Sequence, residues 1–287
     1  MADSVEMQDI RGLDIDKAVK GFAEVEYVFK KYCTVSNTSG DSIRWYSETY
    51  GDLSATAPSV VANISPLSQF PTLEKTWTRN TSYNKKYGAE DFISLEDIKS
   101  ADIDVVARTL NALTRAVVKK VDSRIFNVLT DYALRQVGSW TVNLVNSTGW
   151  AGPGTDIVQE ILNAKRLIYT YDYNPEGAVL LINPLTYENM LKWLISTKGS
   201  SIPNFSSNKV NSGVVMNLLG LNVVVSNNVE TSGAAVVIPQ RSCTWKTFTD
   251  TTAVVIEEKG LGQKFRVWEM GEALLTDPKS VCFLSGV

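Results

Sequence analysis

The sequence predicts an α+β fold, in which one long helix and scattered strands accompany a central α/β region. Three observations lead to this class. A helical apolar repeat runs from Ser94 to about Gln136, two alternating segments precede it, and a compact run of helices and strands follows Gly154. With 287 residues, the chain can form one large domain or two interleaved ones.

Residues 1–41 predict an arm that contains one helix. Apolar positions between Ile15 and Tyr32 fall on one helical face, and Asp14 or Asp16 suits the helix start. The polar segment 34–41 then interrupts the pattern. The first ten residues lack the basic and apolar parts of a secretory signal, and no run reaches the ~18 apolar residues of a membrane span.

Residues 42–90 predict an extended hairpin. The segments Ser42–Tyr50 and Thr72–Tyr83 alternate in polarity as strands do, and small residues connect them. Two such strands are only marginally stable unless they lie on another surface, and we expect a neighbouring subunit to provide it. Aromatic and basic side chains are the expected intersubunit contacts: Trp45, Tyr46, Trp77, Arg79, Tyr83, Lys85 and Lys86. The same mixture suits stacking on single-stranded nucleic acid, but nearby acidic residues and the net charge of -3 favour a protein interface.

The helix predicted after Ser94 is the strongest element. A capping box begins at Ser94, apolar residues recur in steps of three or four from Ile103 to Leu129, and a break is expected near Ser100. The uninterrupted part is expected to span on the order of 50 Å.

The central region predicts alternating helices and strands. A helix over Ile157–Tyr169 is capped by Thr155 or Asp156, a buried strand covers 178–183, and Pro184 begins a further helix. Strands are expected at 221–226 and 234–239. After Arg241 we expect three more strands, at 252–257, 264–270 and 281–284, which pair with each other and pack against the long helix.

Composition argues against most enzyme classes. The chain has no histidine, which excludes Ser-His-Asp and Cys-His nucleophile activation and removes the commonest general base and metal ligand. No nucleotide-binding, zinc-protease, EF-hand or C-x-x-C motif is present. We therefore expect no catalytic, cofactor-binding or metal-binding residues.

Three groups of residues allow a chemical alternative. Gly149, Gly152 and Gly154 precede a helix as in an anion-binding loop, although a plain loop is favoured. Glu269 and the pair Glu257–Glu258 could form a metal site with Asp250, although a solvated strand end is favoured. The cysteines have neither ligand spacing nor a histidine partner and are expected to be buried thiols: Cys33, Cys243 and Cys282.

Four stretches occur in an order that resembles a known family: Lys86–Gly88 with Phe92–Asp97 and Asp102–Asp104, Ile182–Pro184 with Tyr187 and Leu191, Gly220–Ser226, and Thr276–Gly286. Together they resemble the HK97-like capsid fold, which is shared by tailed phages, related archaeal viruses and encapsulin compartments. The resemblance implies five segments: an N-terminal arm (1–41), an E-loop hairpin (42–90), the spine helix and a strand of a P-domain (91–150), an inserted α/β A-domain (151–240), and P-domain return strands (241–287).

The implied function is that of a major capsid protein. Copies would assemble into hexamers and pentamers of an icosahedral virus head that encloses double-stranded DNA. An encapsulin-type compartment shell is the main alternative, and a His-independent α/β enzyme is a second one. Hinges would let one sequence occupy inequivalent positions in the shell, with candidates at Gly40, Gly51, Gly88 and Gly149.

The implied partners are mainly other copies of the chain. A portal, a separate scaffolding protein and a cement or decoration protein are further expectations. Packaged DNA would be contacted weakly and without sequence specificity, and no membrane contact is expected. The expected location is the virion shell, assembled in the host cytoplasm.

Overall fold

The structure, a computed structural model, describes residues 5–48, 64–69, 77–100, 105–152, 154–198 and 217–287. The helices of this part are α1 (Val5–Glu26), α2 (Leu95–Ser100), α3 (Val105–Leu129), α4 (Tyr132–Gln136), α5 (Ile157–Tyr169) and α6 (Pro184–Trp193). Two short 3-10 turns cover Lys30–Tyr32 and Pro278–Ser280, and a π-helical turn covers Leu194–Lys198.

The strands of the described part are β1 (Thr34–Asn37), β2 (Ser42–Glu48), β3 (Trp77–Tyr83), β4 (Lys85–Ser94), β5 (Asn143–Asn146), β6 (Val179–Ile182), β7 (Asn217–Leu218), β8 (Leu221–Val225), β9 (Gly233–Val237), β10 (Cys243–Glu258), β11 (Gly262–Leu275) and β12 (Val281–Ser285). They form a four-stranded sheet in the order β1-β10-β11-β4, a six-stranded sheet in the order β5-β12-β9-β6-β8-β7, and the pair β2-β3.

The chain divides into two compact units. The first comprises Met1–Ile43, Thr81–Ile125 and Trp245–Leu274, and the second comprises Arg44–Asn80, Phe126–Thr244 and Leu275–Val287. The five segments predicted from the resemblance stay a prediction about roles, because these units are defined by contacts alone.

The first unit is built on the four-stranded sheet and α3. Residues of α3 at positions 117, 121 and 125 are almost fully buried, which confirms the apolar repeat. The capping box is also confirmed, since the Asp97 amide donates to Ser94 Oγ at 3.1 Å. With 25 residues, α3 is about 37 Å long, shorter than expected. The repeat ends because Asp131 adopts a left-handed conformation, with φ of 47°.

The second unit contains the six-stranded sheet. The helix α5 has the predicted bounds and its Asp156 side chain accepts from the Gln159 amide at 3.1 Å. One face of α5 buries residues 157, 161, 164 and 168 in the same core as β6 and β9. The strands β6 and β9 are buried along their whole length, which is typical of central strands.

The last strand differs from expectation. Residues 281–284 were expected to pair with the two preceding strands, but β12 lies between β5, to which it is parallel, and β9, to which it is antiparallel. The expectation was wrong because all four side chains are apolar and buried, and such a run requires a central position in a sheet.

The predicted hairpin is present as the pair β2-β3. It is shorter than expected, because residues 85–90 belong to β4 and pair with β11 in the register Lys85↔Gly271 to Glu90↔Arg266. Much of the predicted connection, residues 49–63 and 70–76, lies outside the described part.

Candidate functional site

The hairpin exposes aromatic and basic side chains. Tyr46 and Tyr83 are 55% and 64% exposed, and Arg79 is exposed as well. Asn80 Nδ2 donates to Ser47 Oγ at 3.0 Å and so links the two strands. Three of the residues predicted as intersubunit contacts are therefore available at the surface of a single chain.

Of the two tryptophans in the predicted contact set, only Trp45 has a side chain in the described part. Trp45 is half-buried in β2. Trp77 begins β3, and its side chain lies outside the described part, as does Gly51.

The two predicted lysines lie at the start of β4 and are engaged within the chain. Lys85 Nζ lies 3.3 Å from a Glu272 carboxylate oxygen, and Lys86 Nζ lies 4.5 Å from the centroid of a Trp268 ring. In one chain these contacts hold β4 to β11, so a role between subunits stays a prediction for both residues.

One face of the four-stranded sheet is open and partly apolar. Large apolar side chains on β4, β10 and the β10–β11 turn are more than a third exposed: Phe92, Phe248, Val254, Ile256 and Leu261. On β4, Glu90 pairs with Arg266 at 2.7 Å and with Lys264 at 3.6 Å, and the bond from Arg266 lowers the pKa of Glu90. An apolar surface with a charged rim is typical of a protein contact.

The predicted hinge glycines occupy different settings. The Gly40 carbonyl accepts a hydrogen bond from Asn84 Nδ2 at 2.7 Å. Gly149 lies in a turn with φ of 91°. Gly88 is inside β4, where an added Cβ would lie 3.0 Å from the Cβ of Trp268. The close approach of β11 explains glycine at position 88, and its hinge role stays a prediction.

The acidic residues separate into two groups. Asp250 and the pair Glu257–Glu258 are exposed, as expected for a solvated strand end. Glu269 is completely buried, so that interpretation was wrong for this residue. Its carboxylate accepts from Lys30 Nζ at 2.7 Å. The sequence held a signal, because Glu269 continues the two-residue spacing of the buried Phe265 and Val267.

Asp122 is a buried carboxylate that the sequence analysis did not single out as a site residue. Its carboxylate, 1% exposed, accepts from the backbone amides of Val28 at 2.7 Å, Phe29 at 3.2 Å and Lys30 at 3.3 Å. Burial raises the pKa of Asp122 to about 6, against the opposing effect of these three bonds. The sequence does indicate that Asp122 is buried, because it lies one helical turn after the apolar Val118 and therefore on the same face of α3.

In the glycine-rich loop, the Thr155 side chain bonds two of the loop's own backbone carbonyls. Thr155 Oγ1 donates to the Gly149 carbonyl at 2.6 Å and lies 3.1 Å from the Gly152 carbonyl. All three cysteines are buried thiols that form no disulfide, which confirms that prediction. The described residues contain no group of His, Cys, Asp and Glu arranged to hold a metal, and no helix among them is long and apolar enough to cross a membrane.

Residues 82–281 match the model of a family described as phage capsid protein. The chain belongs to this phage capsid protein family. The match covers more than two thirds of the capsid protein, including α3, five of the six strands of the six-stranded sheet and three of the four strands of the four-stranded sheet. The predicted identity as a capsid shell protein, and with it a place in the virion, is confirmed at this level.

Solved structures agree on the fold. The capsid of the cyanophage P-SCSP1u is similar with a TM-score of 0.69 at 14% identity, over 91% of this chain and 88% of that one. The Mycobacterium phage Che8 structure gives a TM-score of 0.62 at 16% identity, over 85% and 84%. The virus-like particle from Pyrococcus furiosus gives 0.63 at 12% identity, over 96% and 99%. The predicted HK97-like α+β fold is confirmed, and no curated protein sequence gives a significant match.

Proposed function

We propose that copies of this capsid protein assemble as hexamers and pentamers into an icosahedral head around double-stranded DNA. Membership of the phage capsid protein family carries this proposal. The capsids of the cyanophage P-SCSP1u and of the PhiM1 bacteriophage, which share the fold, support it.

The hairpin of one copy is proposed to lie across the four-stranded sheet of the next. Tyr46, Arg79 and Tyr83 expose aromatic and guanidinium groups, which are the commonest energetic anchors of protein interfaces. The open face of the sheet offers apolar side chains with a charged rim. The complete contact set of the proposal is Trp45, Tyr46, Trp77, Arg79, Tyr83, Lys85 and Lys86.

The segments take corresponding roles in this proposal. Residues 1–41 act as an arm, 42–90 as the E-loop, 91–150 and 241–287 as the P-domain, and 151–240 as the A-domain at the capsomer axis. Gly40, Gly51, Gly88 and Gly149 stay candidate hinges for inequivalent positions. The protein has no catalytic role in this scheme, and the shell is assembled in the host cytoplasm.

Further partners follow from the role of a head subunit. A portal and a separate scaffolding protein would act during assembly, and a cement or decoration protein would bind the finished shell. The net charge of -3 suits a wall that contacts DNA weakly and without sequence specificity.

The first test is expression of the full chain, followed by size exclusion and negative-stain microscopy. Closed shells, or rings of five and six, are the expected products. A protein that stays monomeric at high concentration, also with crowding agent or a candidate scaffold, would contradict the proposal.

The hairpin contact is tested with the double variant Tyr46→Ser and Tyr83→Ser. Each anchor is expected to contribute on the order of 1–2 kcal/mol per contact, so the variant should remain unassembled while its circular dichroism is unchanged. Tyr169, 47% exposed on α5, supplies the matched control, and Tyr169→Ser should assemble like the wild type. If the double variant formed normal shells, these two tyrosines of the hairpin would not anchor the contact between subunits.

An encapsulin-type compartment is the second candidate. The similarity to the virus-like particle from Pyrococcus furiosus, which covers nearly the whole of both chains, favours keeping it. Particles purified from infected or expressing cells distinguish the two, because a virus head should contain nuclease-protected DNA and a compartment should contain a defined protein cargo.

A further inference from the structure

The first unit holds the arm through buried polar contacts. The arm turn, residues 27–32, follows α1 and lies beside Asp122 and Glu269, which are both almost fully buried. Lys30 Nζ lies 2.7 Å from Glu269 Oε1, with only 11% of the lysine side chain exposed. Tyr27 Oη donates to the same carboxylate, and burial followed by the charge of Glu269 raises the pKa of Tyr27. The arm therefore contributes one buried cation, Lys30.

A second set of buried charges holds the start of β4. The strand root, Lys85–Tyr87, lies beside Glu272, whose side chain is 2% exposed. Glu272 binds Arg124 at 2.7 Å and Lys85 at 3.3 Å. Burial, followed by the charge of Glu272, raises the pKa of Tyr87. Of the two lysines in the strand root, Lys85 pairs with this buried carboxylate, whereas Lys86 lies over the Trp268 ring.

An aromatic side chain connects the two sets. Lys30 Nζ lies 4.3 Å from the Tyr27 ring centroid and 5.6 Å from that of Trp245, which is completely buried. Trp245 also lies beside Tyr87, with ring centroids 6.3 Å apart. The arm turn and the strand root thus both contact the buried Trp245 side chain, which joins them through a contiguous set of side chains.

The charges explain why both cations are needed. We define the charge frame as the four buried or half-buried groups that α3 and β11 contribute: Asp122, Arg124, Glu269 and Glu272. It contains three carboxylates and one guanidinium, so two further cations are required for neutrality. Lys30 supplies one from the arm and Lys85 supplies the other from the strand root. Glu269 and Glu272 are both buried, so excess negative charge beside them destabilises the fold; Arg124 still pairs with Glu272 when Lys85, itself 51% exposed, is removed.

We propose that the charge frame couples docking of the N-terminal arm to docking of the strand root, because each supplies one of the two cations that neutralise it. Loss of either cation leaves an excess negative charge that the other must then balance. Coupling between the two docking events is reciprocal by thermodynamic necessity. If the proposed shell function is correct, the arm and the hairpin that precedes β4 change position together during assembly.

The test is a double-mutant cycle on the unassembled full chain, with Lys30→Met and Lys85→Met. The unfolding equilibrium constant is measured from urea-dependent hydrogen exchange of the β4 amides. Lys85→Met should raise this constant by a factor at least roughly threefold larger in the Lys30→Met background than in the wild type. Equal factors in both backgrounds would overturn the proposal.

Two further variants separate charge coupling from general damage. Lys264→Met removes a cation from the exposed face of the same sheet, where Lys264 lies 3.6 Å from Glu90, and its effect should simply add to that of Lys30→Met. Lys30→Arg keeps the charge, so Lys85→Met should act there as in the wild type. If Lys85→Met had a larger effect in the Lys30→Arg background than in the wild type, charge would not be the cause of the coupling.

A folding failure of Lys30→Met does not leave the question open. Lys30→Met combined with Glu269→Gln removes one cation and one carboxylate, so the frame is neutral while Lys85 is present. This double variant should fold, and Lys85→Met should then act as in the wild type. A larger effect would overturn the proposal, and because no assembly is measured, the result is independent of the shell function.

Discussion

Replacing Asp122 with asparagine removes a buried negative charge from α3 but keeps one oxygen acceptor for the amides of the arm. Burial raises the pKa of Asp122 to about 6 in the folded chain, whereas an aspartate in the unfolded chain titrates near about 3.9. The folded chain therefore binds more protons between about pH 4 and pH 6, and the free energy of unfolding decreases as the pH rises through this window. The contribution of Asp122 is fully present below about pH 4 and is lost above about pH 6.

The difference between the two pKa values corresponds to at most ~3 kcal/mol. Asparagine does not titrate, so the stability of wild type minus Asp122→Asn should fall by up to ~3 kcal/mol between about pH 4 and pH 7. Urea unfolding of the dilute, unassembled chain at several pH values measures this difference. A difference that is constant or grows with pH would show that the folded chain stabilises the charged carboxylate at least as well as water does, and would refute the reasoning.

The alanine variant separates charge from hydrogen bonding. Asp122→Ala removes the acceptor as well, so the amides of Val28, Phe29 and Lys30 lose their bonds to this side chain. Such a loss costs about 1–3 kcal/mol. Asp122→Ala should therefore be less stable than Asp122→Asn at every pH, with the same pH dependence.

Three further outcomes are expected. Arg124→Met should cost about 3 kcal/mol in urea unfolding, because Glu272 stays buried with Lys85 alone, whereas removing an exposed ion pair elsewhere should change stability by less than about 1 kcal/mol. Gly88→Val should lower the urea midpoint by the equivalent of about 1–3 kcal/mol, since its Cβ would press on Trp268, and an unchanged midpoint would contradict the packing described. A thiol reagent should modify no cysteine in the native chain and all three in denaturant, because each is buried: Cys33, Cys243 and Cys282.

Local signals explain what could be predicted of the fold. A cap at Thr155 or Asp156 with the apolar spacing from Ile157 was sufficient for α5, and Pro184 was sufficient for the start of α6. These elements depend on residues a few positions apart. The position of β12 depends instead on β5 and β9, which are distant in the sequence, so its apolar run predicted a buried strand but not its neighbours.

The candidate site was predicted unevenly for a physical reason. Exposed aromatic and basic residues on an alternating segment can be recognised locally, and Tyr46 and Tyr83 are exposed as expected. Buried charges are recognised only with their partners, and the partners that Glu269 and Asp122 have in the arm turn are more than 90 positions away. The buried charges beside the arm turn were therefore missed or misinterpreted, while the exposed residues of the hairpin were recognised, and their intersubunit role stays a prediction.

The parallel pairing of β12 with β5 has a consequence for synthesis of the chain. Asn143 Nδ2 donates to the Lys279 carbonyl, 136 positions later, at the point where the two strands come together. A ribosome adds residues at about 5–20 per second, so β5 waits several seconds or longer for the strand that fills the gap between it and β9. During that interval the six-stranded sheet cannot close. Translation itself thereby delays completion of the second unit until residues 281–285 have left the ribosome.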